Sequence, residues 1–262
     1  MMFPSILRTE LAKLRRSTVT WVTFVVYAAM VAVAGFFLWM MKNPGVAERL
    51  GLMGQKAKFA FGGEAVDWPT FFTFVQVMGG LESLIMSAVI VTFVFGREYA
   101  EGTAKNLLAL PLPRGHFVLA KITVSAAWLA ALTLWLVSMT LFAGSLVGLP
   151  GLAPAAVCAL AVRLAALAGM SLCCLTLVAW ISVETRGYFA PLGFAVGTLV
   201  LASVFGHTGW APWVPWSIVG VYSGAAGPDV RIGWGNLLVL AATFAAGLSL
   251  AIRHEVRADN AQ

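Results

Sequence analysis

The sequence predicts an all-α, polytopic membrane protein with six transmembrane helices, and three observations carry that reading. Of the 262 residues, 60% are apolar and only 11% charged, whereas a soluble domain carries about a quarter charged residues. Mean hydropathy is +0.89. The apolar residues also gather into six runs, each near the ~20 residues a helix needs to cross about 30 Å of hydrocarbon. Such a composition excludes a soluble globular enzyme. Residues 1–262 read as one transmembrane domain with no internal repeat.

The first element precedes the spans. Within 1–19, Phe3, Ile6, Leu7, Leu11 and Leu14 recur at helical spacing, while Arg8, Glu10, Lys13, Arg15 and Arg16 occupy the rest of the wheel. That pattern suits a helix lying in the membrane interface. The alternative is a basic tail that only sets topology. The spans then run Thr20 to Met41, Pro69 to Gly96, Phe117 to Val147, Ala155 to Ser182, Tyr188 to Gly206 and Trp234 to Ile252. The first is too long for a signal-peptide core and reads as a retained span.

Charge sets the orientation. With the amino terminus cytoplasmic, Arg8, Lys13, Arg15, Arg16, Arg97, Lys105, Arg114, Lys121, Arg186, Arg253 and Arg257 lie inside. Lys42, Arg49, Lys56, Lys58 and Arg231 lie outside. Eleven against five places both termini in the cytoplasm of a cell with this chain in its inner or plasma membrane.

Several chemistries are missing. No Gly-x-x-x-x-Gly-Lys occurs, so the chain does not bind ATP through a phosphate loop. His116, His207 and His254 fall on separate loops or tails, without the His-Glu-x-x-His spacing of a zinc protease. Ser171, in Gly169-Met170-Ser171-Leu172, has no histidine within a span to act as base and reads as helix packing. Cys158, Cys173 and Cys174 are an odd number inside apolar runs and read as small buried hydrophobes.

The stretch between the second and third spans is the informative one. From Arg97 to Leu110 it is helix-compatible: Glu101 precedes Lys105 by four residues, Ala100, Ala104, Leu107 and Leu108 share a face, and Pro111 and Pro113 end the run. A short amphipathic helix on the cytoplasmic face and a simple juxtamembrane turn with snorkelling basic residues both fit.

Glu98, Gly102-Thr103, Leu107-Leu108, Pro111, Arg114 and Lys121, in that order and spacing, resemble the signature of ABC-2-type permeases. These are the membrane subunits of type-2 ATP-binding-cassette exporters. Chain size and the lack of a fused ATPase resemble the bacitracin and lantibiotic branch. Pro113 departs from the pattern, standing where many members have a small residue. The resemblance implies that segment 97–116 is a coupling helix, with Glu98, Gly102, Thr103, Lys105, Leu107, Leu108, Pro111 and Arg114 meeting an ATPase. It further implies a permease homodimer in the lipid bilayer with two copies of a separate ATPase, which carries the ATP and Mg. On that reading this chain holds no cofactor and no metal, is not itself an enzyme, and has no nucleic-acid partner.

Polar residues within the spans are costly. Gln76, Glu82 and Arg163 are the candidates, and a mutual Glu82–Arg163 pair is expected if their helices face each other. A proton-coupled secondary transporter using those two residues is the alternative function. Gln76, Gly80, Ser83 and Ser87 form a small and polar stripe on the second span, and Ala161, Ala165, Gly169 and Cys173 a ladder of small residues on the fourth. Both suit close helix packing, or else line a substrate path. The outer segment 207–233, with Trp210, Trp213 and Trp216 among Pro212, Pro215 and Pro228, predicts re-entrant or interfacial pieces that cap the pathway or anchor the last span.

Overall fold

The computed structural model describes residues 2–43, 45, 49, 66–103, 114–206, 208–225 and 232–257. Every regular element among them is a helix. In chain order these are α1 (Met2–Arg15), α2 (Thr18–Lys42), α3 (Trp68–Ala100), α4 (Arg114–Val147), α5 (Pro154–Cys174) and α6 (Thr176–Glu184). They are followed by α7 (Phe189–Phe205), a 3-10 turn (Ala211–Trp213), α8 (Pro215–Ser223) and α9 (Trp234–Arg257).

Five apolar helices are long enough to cross a membrane: Thr18–Lys42, Trp68–Ala100, Gly115–Val147, Pro154–Glu184 and Trp234–Val256. They make this a multi-pass membrane protein. The stretch expected as the fifth of six spans is α7, a shorter apolar helix whose 17 residues rise about 25 Å, at the lower end of the range that crosses hydrocarbon.

Local chemistry sets the helix ends. The Ser17 side chain accepts from the Val19 amide and caps α2. Asp67 accepts from the Thr70 amide and caps α3, with Pro69 in the first turn, where its missing N–H costs nothing. The fourth expected span is interrupted at Leu175, between α5 and α6. There α9 comes so close that a Cβ on Gly247 would stand 2.5 Å from the Thr176 backbone.

The helices α3, α5 and α6 form the buried centre, with Phe71, Val75, Ile90, Leu167 and Val178 shut off from the surface. The other long helices expose apolar side chains, such as Val25, Leu134, Val200 and Leu238. In water these would be a liability, while facing hydrocarbon they are matched. Indole N–H groups join α2 to α4: Trp128 donates to Thr23 Oγ1 at 3.1 Å and Trp135 to the Phe24 carbonyl at 3.0 Å.

The bundle has two unlike ends. At one lie Trp39, Trp68, Trp210, Trp213 and Trp234, with Lys42 donating to the carbonyls of Val147 and Gly148 at 2.9 and 2.8 Å. We call this the tryptophan end. Asn236 ties it together, accepting from the Gly233 amide at 2.7 Å and donating to the Pro212 carbonyl. The opposite, basic end holds α1, the close of α3, the start of α4 and the close of α9.

Of the two readings of Arg97 to Leu110, the described residues show a turn at its start, since α3 ends at Ala100 and Gly102 adopts a left-handed φ of +69°, while 104–110 lie outside them. One expectation needs correction. The ladder Ala161, Ala165, Gly169, Cys173 does not face the core, since Ala165 and Gly169 are exposed and a Cβ on Gly169 would meet nothing within 4 Å. The packing side of α5 is instead Leu160, Leu164, Leu167, Ser171 and Leu172.

Candidate functional site

The last turn of α3, Gly96 to Tyr99, is the junction of the basic end. Consecutive residues on a helix point about 100° apart, so four residues in a row reach four different neighbours. The Tyr188 ring stands 2.9 Å from where a Cβ on Gly96 would sit, so the turn before α7 rests on bare backbone there. Arg97 lies 5.4 Å from the Phe93 ring centroid and 4.0 Å from Glu10 Oε2. The Tyr99 hydroxyl donates to Glu255 Oε1 at 3.0 Å and so reaches α9.

Glu98 is the centre of this junction. Its Oε2 accepts from Lys121 Nζ on α4 at 2.6 Å and its Oε1 from Lys13 Nζ on α1 at 2.9 Å. Lys13 also donates to Glu10 at 2.5 Å. Glu10, Glu98 and Lys121 are only 4%, 7% and 4% exposed, so these charges persist by pairing with each other. Burial disfavours the Lys13 ammonium, but the carboxylates of Glu98 and Glu10 outweigh it and hold its pKa above the ordinary lysine value. The carboxylates of Glu98 and Glu10 are thus already engaged by ammonium groups, and the arrangement is mechanical: a clamp of α1, α3 and α4 around one carboxylate.

Of the residues predicted for coupling, Glu98 is in this clamp, and Thr103 Oγ1 returns to the Glu98 carbonyl at 3.4 Å. Gly102 is exposed and makes the left-handed turn. Lys105, Leu107, Leu108 and Pro111 lie outside the described residues, and Arg114 is the first residue of α4. Lys13 was not singled out from sequence as a partner of Glu98, nor Glu10 as the second carboxylate on Lys13, nor Tyr99 as the link to Glu255. Their only signal was the position of Glu10 and Lys13 one turn apart on the α1 wheel.

The intramembrane candidates divide differently from the expectation. Arg163 Nη1 donates to Gln76 Oε1 at 2.9 Å, and Gln76 Nε2 donates to the Ser223 carbonyl at the end of α8 at 3.1 Å. The expected Glu82–Arg163 pair is not made. Glu82 lies six residues, or about 9 Å, further along α3 than Gln76, so Arg163 is level with the amide and not with the acid. Glu82 is buried, and its Oε2 has no hydrogen-bond partner among the described residues. The stripe on α3 does pack: Ser83 meets Ser171 at 2.8 Å, and a Cβ on Gly80 would overlap Ser223. Ser171, which also donates to the Leu167 carbonyl at 2.8 Å, is a packing residue as expected.

Residues 6–203, from within α1 to the last turns of α7, match the family described as ABC-2 family transporter protein. The chain belongs to the ABC-2 transporter family. This ABC-2 chain is also similar to the bacitracin transport permease protein BCRB of Bacillus licheniformis, at 26% identity over 172 residues, covering 65% of this chain and 82% of that protein. The match includes every member of the Glu98 clamp, whereas α8 and α9 lie beyond its end. Family membership agrees with a transport subunit of the membrane, and it weighs, together with the absent Glu82–Arg163 pair, against a proton-coupled carrier.

Proposed function

We propose that this chain is the permease subunit of an exporter, moving a hydrophobic or amphipathic compound such as a peptide antibiotic outward, driven by ATP hydrolysis on a separate subunit. Two permease copies pair with two copies of an ATP-binding-cassette ATPase, which binds the ATP and Mg. The chain crosses the membrane six times with α7 as the short fifth span, both termini are cytoplasmic, and the basic end faces the ATPase. In this topology α1 lies in the inner interface, and 97–116 is the coupling segment, in which Glu98, Gly102, Thr103, Lys105, Leu107, Leu108, Pro111 and Arg114 serve the ATPase.

The observation that carries the reading is the placement of Glu98. The segment that would meet the ATPase leaves α3 at Ala100, two residues beyond a carboxylate bound to both α1 and α4. A displacement of that segment therefore reaches three helices through one clamp, while Tyr99 passes it to α9. The similarity to a bacitracin transport permease supports a peptide antibiotic as the cargo.

The test is resistance in a sensitive strain expressing this chain with its ATPase. Bacitracin tolerance should rise only when both are present and fall back with Gly102→Pro, which cannot adopt the left-handed turn. Resistance from the permease alone would refute the ATP-driven reading.

A further inference from the structure

A groove runs down the outside of the bundle between α2 and α4, with a volume of about 450 Å³. Its floor is made of small residues: Ala32, Gly35 and Ala143, the last two so close that a Cβ on Gly35 would stand 3.3 Å from the Ala143 Cβ. Phe36, Phe142 and Leu146 form exposed walls. No polar side chain lines it.

The dimensions select an occupant. From Ala28 to Trp39 the groove covers eleven residue steps of α2, about 16 Å. That is one leaflet, half of the roughly 30 Å hydrocarbon thickness. An empty furrow in hydrocarbon forfeits dispersion contacts along its length, and a flexible acyl chain restores them.

A head-group site closes the groove. Lys42 Nζ lies at its tryptophan end, 2.9 Å from the carbonyl of the lining residue Val147. The carbonyls of Val147 and Gly148 take two N–H donors of the ammonium, and the third remains. Among the described residues no carboxylate pairs with Lys42, which is exposed.

We infer that the groove between α2 and α4 is a binding site for one phospholipid with an anionic head group, its acyl chain on the Ala32–Gly35–Ala143 floor and its phosphate on Lys42. The inference does not depend on the exported compound or on the ATPase, because it uses only the lipid-facing surface.

The experiment is native mass spectrometry of the full chain released from detergent after titration with phosphatidylglycerol or phosphatidylcholine. One phosphatidylglycerol should be retained at least tenfold more tightly than phosphatidylcholine. Lys42→Gln should erase that preference and Lys42→Arg keep it. Ala32→Phe, at an exposed position, should displace both lipids. Equal retention of the two lipids by the unmodified chain, or unchanged phosphatidylglycerol retention in Lys42→Gln, would overturn the assignment. It would also fail if Ala32→Phe altered the oligomeric state while lipid retention stayed constant, since a second copy of the chain would then cover the groove. Should Ala32→Phe not fold, the Gln and Arg variants of Lys42 still decide.

Discussion

Glu98 and Lys121, twenty-three residues apart on different helices, meet at 2.6 Å in a nearly water-free pocket at the basic end of the bundle. Removing one partner of such a pair leaves a buried charge uncompensated, which costs about 3–5 kcal/mol. Glu98→Gln should therefore lower the melting temperature of the detergent-purified chain clearly, and Lys121→Met should do the same. The double variant should lose less than the sum, because it removes both charges. Strict additivity would show that the two side chains do not act as a pair.

Gly80 and Gly169 make a matched comparison on neighbouring helices. Gly80→Ala must displace Ser223 and part α8 from α3, at a cost on the order of 1–3 kcal/mol. Gly169→Ala meets nothing and should cost nothing, helped by the better helix propensity of alanine. Thermal unfolding and gel-filtration homogeneity of both variants check this. Equal tolerance of the two would contradict the close approach of α8.

Most of the helical plan was legible because hydrocarbon imposes a length on apolar runs, and the predicted starts and stops fall within a few residues of α2, α3 and α4. Periodicity could not show which side of α5 faces inward. Its ladder of small residues looked like a packing seam, yet the larger Leu160, Leu164 and Leu167 fill the core. The motif from Glu98 to Lys121 was readable as order and spacing, but its geometry was not. The second cation on Glu98 is Lys13, 85 residues away on the helix read as lying in the membrane interface. The expected Glu82–Arg163 pair is not made because the guanidinium meets the Gln76 amide, six residues or about 9 Å along α3 from Glu82, and sequence does not show which polar group a neighbouring helix brings level with Arg163.

Arg163 should couple to Gln76 and not to Glu82. A double-mutant cycle with Arg163→Gln and Gln76→Leu should show an interaction of about 0.5–1 kcal/mol, while Arg163→Gln and Glu82→Gln should add. The exchange of Glu82 and Arg163 should accordingly rescue nothing. Recovery of expression by the exchanged protein would reinstate the pair.

Lys13 supplies a pH signature. Its pKa is raised over the ordinary 10.5, so its share of stability is fully present below that value and is lost only as pH climbs through the folded-state pKa. The difference in melting temperature between the unmodified chain and Lys13→Met should stay constant from about pH 7 to pH 10 and shrink above 10.5. A difference that already fades near neutrality would mean that Lys13 is not held charged by Glu98 and Glu10.

The central claim is that this permease has no ATPase activity of its own and passes the motion of a partner ATPase inward through the turn at Gly102 and the clamp at Glu98. Its most direct test is Mg-dependent ATP hydrolysis by the tagged chain, purified alone and then with the ATPase that it captures from native membranes. Gly102→Pro is the informative variant, since it strikes the turn itself, removing the amide that donates to the Tyr99 carbonyl at 3.2 Å, while a Cβ at Gly102 would meet nothing within 4 Å among the described residues. The account predicts no hydrolysis by the chain alone, hydrolysis stimulated by the exported compound in the complex, and loss of that stimulation in Gly102→Pro while the complex still assembles. Hydrolysis by the isolated chain, or full stimulation retained in Gly102→Pro, would contradict it.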